Sequence, residues 1–238
     1  MLYITFTNLL LTKATGPSEA GLPRSTIFRS GRTRKLERRP ELDRVPVQSL
    51  SDKSGQAESW HWLAWLLHRD NQLDAAEDAV SRALDLLPDE GKQLRVCQCH
   101  RILGQIYSDK HETKKAIHHY ETALGIASSF NWNKELFWSH FLLATLFLDE
   151  SRFSDTHAHT QRAQSHAVND SYLLGRAMEL QARVWRRERR FEDARSEILR
   201  AFDVFERSEA AKDLKRCRAL LLDIEGDMNN PVTLGEFL

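Results

Sequence analysis

The sequence predicts an all-α fold, a solenoid of antiparallel helix pairs with a C-terminal capping helix. Three observations predict it. In "LGQIYSDKHETKKAIHHYETAL", Leu103, Ile106 and Tyr107 share one helical face, while Ala116, Tyr120, Ala123 and Leu124 share another. A polar break from Ser108 to Glu112 separates the two helices, and the same arrangement recurs about every forty residues. Small residues recur with it. Gly104 sits inside the first helix of this pair, where glycine costs roughly 1 kcal/mol against alanine in an exposed position. Glycine on one helix and alanine on the other predict a close approach of the two backbones.

The elements follow in order along the chain. "WHWLAWLLHRDNQLDAAEDAVSRALDLLP" sets Trp60, Leu63, Ala64, Leu67, Ala76, Val80, Ala83 and Pro88 at the spacing seen around Gly104. A third copy places His140, Leu143, Ala144, Phe147, Thr156, Thr160 and Ala163 there, with threonines at places that are small or aromatic elsewhere. A fourth, slightly closer, gives Met178, Gln181, Ala182, Trp185, Ala194, Ile198 and Ala201. The turns "RDNQLDAA", "DKHETKKA", "ESRFSDTH" and "RERRFEDA" each lead into a second helix. Leu73, Phe153 and Phe191 occupy one equivalent place, taken by Thr113 in the second copy.

This pattern of Trp, Leu-Gly, Tyr, Ala, aromatic, Ala and Pro resembles the tetratricopeptide repeat, whose period is roughly 34 residues. The first two copies match it best, and the longer step here resembles variants with extended helices. The resemblance implies a right-handed superhelix. The chain then divides into a basic N-terminal arm (1–54), expected to be disordered, a solenoid (55–226) and a C-terminal tail (227–238). Within the solenoid, repeats are expected near 57–90, 97–130, 137–170 and 175–208, with a capping helix at 209–225. The wording of "LDAAEDAVSRALDLLP" and "HAVNDSYLLGRAMELQARVW" is also similar to the repeat arrays carried behind NB-ARC or NACHT ATPase modules in NLR-like (STAND) signalling proteins. No such module is visible in this sequence.

Composition bounds the function. Thirty-four Lys and Arg balance thirty-four Asp and Glu, so no bulk field draws the chain to nucleic acid or anionic membrane. The exception is the arm, where Arg29, Arg32, Arg34, Lys35, Arg38 and Arg39 cluster among Gly, Pro and Ser. It reads as a solvated linker, with polyanion or nucleic-acid binding, or nuclear import, as the alternative. "MLYITFTNLLL" is apolar but lacks a basic flank and a cleavage site and is too short to span a bilayer, so neither secretion nor a membrane partner is expected. Three cysteines are too few for a disulfide framework, and Cys97 and Cys99 point apart on one helix. A cytoplasmic protein is expected, with a nuclear location open.

No chemistry is predicted. The sequence has neither a phosphate-binding GxxxxGK[ST] string nor a GxSxG elbow. Cys97 with His100 is half a metal pair, and His118, His119, His157 and His159 fall on second helices, where solvated histidines are the commoner arrangement. Carboxylates such as Glu192 and Asp193 stand at a helix start, where they favour the positive end of the dipole. No enzyme activity, cofactor or metal is expected.

What a repeat stack offers is a surface. By the resemblance, the concave groove carries His61, Trp65 and His68, then Arg101, Gln105 and Asp109, then Trp138, Phe141 and Thr145, and finally Glu179, Arg183 and Arg186. Aromatic and arginine side chains are frequent interface anchors, so the expected partner is a protein or peptide. Trp138 and Phe141 have a second reading as packing against the next repeat, beside Trp132 and Phe137, and Trp62 as a side chain covered by the arm. Arg101 and Arg183 have one as solvated or salt-bridged residues. The lysine, asparagine and arginine clamp that holds chaperone C-terminal carboxylates in this family is absent: the inner places carry His61, Trp65, Ile102, Trp138 and Leu142.

Overall fold

The computed structural model describes residues 53–87 and 93–229. Nine helices and no strand occur among them: α1 (Lys53–Arg69), α2 (Leu73–Leu86), α3 (Gln93–Asp109), α4 (Thr113–Ser129), α5 (Asn133–Asp149), α6 (Phe153–His166), α7 (Ser171–Arg187), α8 (Phe191–Arg207) and α9 (Ala211–Asn229). The basic arm as far as residue 52, Pro88 and residues 230–238 of the tail lie outside the described residues.

Helices α1/α2, α3/α4, α5/α6 and α7/α8 form antiparallel pairs, and α9 packs on α8. The first helix of each pair also touches the first helix of the next, and α9 touches α7 in the same way. The result is a right-handed solenoid in which α1, α3, α5, α7 and α9 form the inner wall. Each core cluster accordingly spans a pair and the first helix that follows. Ala64, Val80, Ile102 and Ile106 belong to one; Phe137, Ala144, Leu173 and Leu180 to another; Met178, Ile198, Cys217 and Ile224 to a third.

The helices turn back sharply through one repeated device. Asn71, His111, Ser151 and Arg189 have φ of 59°, 59°, 59° and 60°, and the residue after each donates to a carbonyl five back, as in Gln72 to Leu67 (2.9 Å) and Glu112 to Tyr107 (2.8 Å). This is the Schellman arrangement, with a side-chain-bearing residue where glycine is usual. Asn131 and Glu209 repeat it between pairs. The α6–α7 junction differs: α6 has 14 residues against 17 in α4, and Asp170 caps α7 by accepting from the Leu173 N–H at 3.0 Å. That trimmed helix accounts for the closer spacing of the fourth copy.

The repeat positions carry the core. Leu63, Ala64, Ala76, Ala83, Leu103, Ala116, Tyr120, Ala123, Ala144, Ala182, Ala194 and Ala201 are buried, and Trp60 and Tyr107 are partly so. Thr156 and Thr160 are buried completely, so the third copy packs like the others despite its sequence. The Thr156 hydroxyl is satisfied by donating to the Arg152 carbonyl at 2.9 Å.

Gly104 corrects the expected detail of the close approach. What faces it is the ring of Tyr120 rather than an alanine backbone: a Cβ built there would lie 2.4 Å from two ring carbons. Where the first helix has alanine at this place (Ala64, Ala144, Ala182), the place equivalent to Tyr120 holds Val80, Thr160 or Ile198. Size on one helix offsets size on the other.

Candidate interaction groove

The inner wall is stitched by polar contacts between successive first helices. Arg95 of α3 donates to Glu58 (2.8 Å) and to His61 Nδ1 (3.1 Å) of α1, and His68 meets Asp109 at 2.7 Å. Between α3 and α5, Gln98 donates to Glu135 at 2.9 Å and Arg101 lies 3.3 Å from the same carboxylate. Between α7 and α9, Arg216 forks onto Glu179, one arm at 2.6 Å, and Arg186 pairs with Asp227 (2.6 Å) and Asp223 (3.0 Å).

Against this wall the predicted groove residues separate into three groups. His61, Phe141 and Glu179 are only 4–5% exposed and offer no open surface. Burial, then the charges of Arg95 and Arg101, hold the His61 imidazole down to about 3, so it is neutral and accepts from Arg95. Phe141 belongs to the core around Leu148 and Leu180, with the Arg176 guanidinium 4.9 Å above its ring, and Trp138 packs beside it half-buried. The aromatic pair is thus stationed chiefly at the junction with the next repeat. Thr145 donates to the Phe141 carbonyl at 2.9 Å.

A second group is reachable but engaged. Arg101 is tied to Glu135, His68 to Asp109 and Arg186 to two aspartates. The hydrogen bond from Arg186 to Asp227 outweighs burial and raises its already high pKa. Trp65 is partly buried beneath the Arg69 guanidinium, 5.0 Å from its ring, and makes an edge contact with the more exposed Trp62. Gln105 is partly exposed.

The third group is Arg183, whose nearest carboxylate, Asp149, is 3.9 Å away. Burial lowers its pKa even with Asp149 and Glu179 nearby. It lines a cleft of about 720 Å³ between α7 and α9. Leu148, Phe191 and Leu220 give that cleft apolar patches, and its charged lining includes Arg187 and Arg189. Neither arginine has an acidic partner within 4 Å among the described residues.

Opposite charges 37 residues apart were a signal available in the sequence: Glu58/Arg95, Arg176/Asp213, Glu179/Arg216 and Arg186/Asp223 all keep that interval. It is the repeat step less about one helical turn, so partners on successive inner helices face one another.

The histidines do not gather across repeats. His119 meets His100, and His159 meets His140, each pair with Nδ1 atoms 3.0 Å apart, while His157 meets Glu188 at 2.6 Å. An imidazole pair at that distance needs one donor and one acceptor, so the two rings of a pair cannot both be protonated. Burial first, then neighbouring histidines, holds His119 and His140 down to about 4. No group of three or more potential metal ligands occurs among the described residues. Cys97, Cys99 and Cys217 are buried free thiols that burial pushes up to about 12, far from nucleophilic range. No described helix is long and apolar enough to cross a membrane.

The comparisons agree with this architecture. A tetratricopeptide-repeat model matches residues 57–90 and 102–130. Aspartyl phosphate phosphatase F from Bacillus subtilis superposes with a TM-score of 0.64 at 21% identity, covering 80% of this chain and 50% of that one. A Rap protein complexed with competence and sporulation factor gives 0.64 at 15% identity, covering 75% and 51%. PilF of Pseudomonas aeruginosa gives 0.52 at 12%, covering 72% and 77%. This chain therefore spans about half the length of the first two of these structures. No curated protein matches it. The chain carries tetratricopeptide repeats, two of them matched in sequence, within the helical-repeat solenoid fold that these structures share.

Proposed function

We propose that this chain is a protein-interaction scaffold that seats a peptide or protein segment on its inner wall. The observation that carries the reading is the 720 Å³ cleft on that wall, which combines apolar patches with arginines lacking close acidic partners. Clefts of roughly 300–1,000 Å³ are ligand-sized. The Rap structure bound to competence and sporulation factor supports the same reading by analogy of fold. It is the reading of a binding protein rather than an enzyme, and turnover by the isolated chain would overturn it.

The test is affinity capture with the purified chain, comparing Gln105→Glu and Arg183→Glu on the inner wall with Arg207→Glu on the outer helix α8. Loss of the captured partner with the inner changes alone supports the groove. Capture that survives both inner changes in folded protein removes it.

Two narrower readings rest on sequence alone. A sensor end of an NLR-like signalling protein requires an in-frame nucleotide-binding module upstream. Polyanion binding by the arm falls outside the described residues and requires steep salt dependence that disappears when residues 1–54 are deleted.

A further inference from the structure

The cleft between α7 and α9 has a surplus of positive charge once its internal pairs are made. Five arginines line it against three carboxylates, Glu179, Asp223 and Asp227. Glu179 is engaged by Arg216, and both aspartates by Arg186. What is left is Arg183, paired loosely with Asp149 at 3.9 Å, together with Arg187 and Arg189. Arg187 and Arg189 are exposed and form no ion pair within 4 Å among the described residues.

Their spacing adds a second constraint. Arg183 and Arg187 lie one turn apart on α7, a rise of about 6 Å along the helix axis. In an extended peptide, residues two apart are about 7 Å apart and point to the same side. The residue between them points the other way.

We propose that this cleft binds an extended acidic peptide segment bearing carboxylates at alternate positions, with Arg183 and Arg187 each taking one and Arg189 a third at the rim. Arginine suits the role because its planar fork donates two parallel hydrogen bonds to a carboxylate. Arg183, partly desolvated and paired only at 3.9 Å with Asp149, gains a closer partner. A nucleic-acid backbone fits less well, since Glu179, Asp223 and Asp227 interrupt the positive wall.

This deepens the groove reading and rests on it. The test is fluorescence anisotropy on the full chain with a short labelled peptide alternating Glu and Leu, against a peptide with the same composition in two blocks and one with Lys for Glu. The alternating acidic peptide is expected to bind about tenfold tighter than either. Arg183→Ala with Arg187→Ala should weaken it by about tenfold, and Arg187→Glu with Arg189→Glu by at least as much; Arg207→Ala should leave it within about twofold. The Arg187 and Arg189 pair is exposed, so its variant keeps the fold, which a thermal melt verifies. Equal affinity for all three peptides, or no change in the variants, overturns the proposal. So does heparin binding to the same arginines as tightly as the acidic peptide. Binding of a neutral peptide that Gln105→Glu abolishes, with no preference for acid, sinks this inference while leaving the groove reading intact.

Discussion

Gly104→Ala adds one methyl group to the protein at its tightest described glycine. The new Cβ would stand 2.4 Å from Cδ1 and Cε1 of Tyr120, where carbon contacts are comfortable at about 3.5–4.0 Å. The ring has to retreat by about an ångström, and Tyr120 is 2% exposed with core on every side. Overpacking of this kind costs roughly 1–3 kcal/mol, against a helix-propensity gain of about 1 kcal/mol for alanine over glycine. The net expectation is a loss of about 1 kcal/mol, or about 3 °C in Tm for a domain of this size. Gly125, inside α4, is the internal control: a Cβ there meets nothing within 4 Å. Gly125→Ala should raise stability by up to about 1 kcal/mol, so the same substitution changes sign with its surroundings. Adding Tyr120→Ile to Gly104→Ala copies the Ala182 and Ile198 pair of the fourth repeat and should recover about 1–2 kcal/mol relative to the summed single effects. Urea denaturation followed by far-UV circular dichroism reads all four. If Gly104→Ala is as stable as the parent, or the double change shows no coupling, the glycine is not there to admit the ring.

Acidification should destabilise the fold. Burial holds His119 and His140 down to about 4, so between about pH 6.5 and pH 4 the unfolded chain takes up protons that the folded chain refuses. Stability is then full above about pH 6.5 and falls as pH drops, by of order 1–3 kcal/mol at buried His140 and by less at half-buried His119, where solvent screens the charge. His140→Gln with His159→Gln should flatten the fall between denaturation midpoints measured near neutrality and at about pH 4.5. Glu179→Ala removes one of the two carboxylates that Arg216 and Arg176 share, 4% exposed in the parent, leaves Asp213 as the other, and should cost about 2 kcal/mol. Its signature is early loss of protection along α9 in hydrogen exchange; uniform destabilisation along the chain would refute the assignment.

The pairing of helices was legible because the apolar places repeat on both members of each pair, and Ala64, Ala76 and Ala83 have counterparts in the next copies. The turns were legible as polar breaks, but not their geometry: Asn71 invites the left-handed conformation, whereas His111 and Arg189 take it under the pull of the Schellman hydrogen bonds. The groove was harder to read, because a place on the inner helix does not decide exposure. Phe141 and Glu179 have the right register and are buried, one by the apolar core and the other by Arg216. Arg187 and Arg189 were missed for the opposite reason. They fall where α7 ends and its turn begins, beyond the places that a repeat alignment marks, and it is the neighbouring α9 that brings them to a cleft.

Helix α9 has a consequence of its own. Among the described residues it packs on the α7/α8 pair as the last slat of the described shutter, and slats at a border lift before those in the middle. Arg216 and Leu220, on this slat, form one jamb of the arginine cleft, while Arg183 and Arg187 form the other. Whatever spans both jambs latches the border shut by mass action, so occupancy should register as slower opening at the C-terminal edge before any change reaches the first repeat.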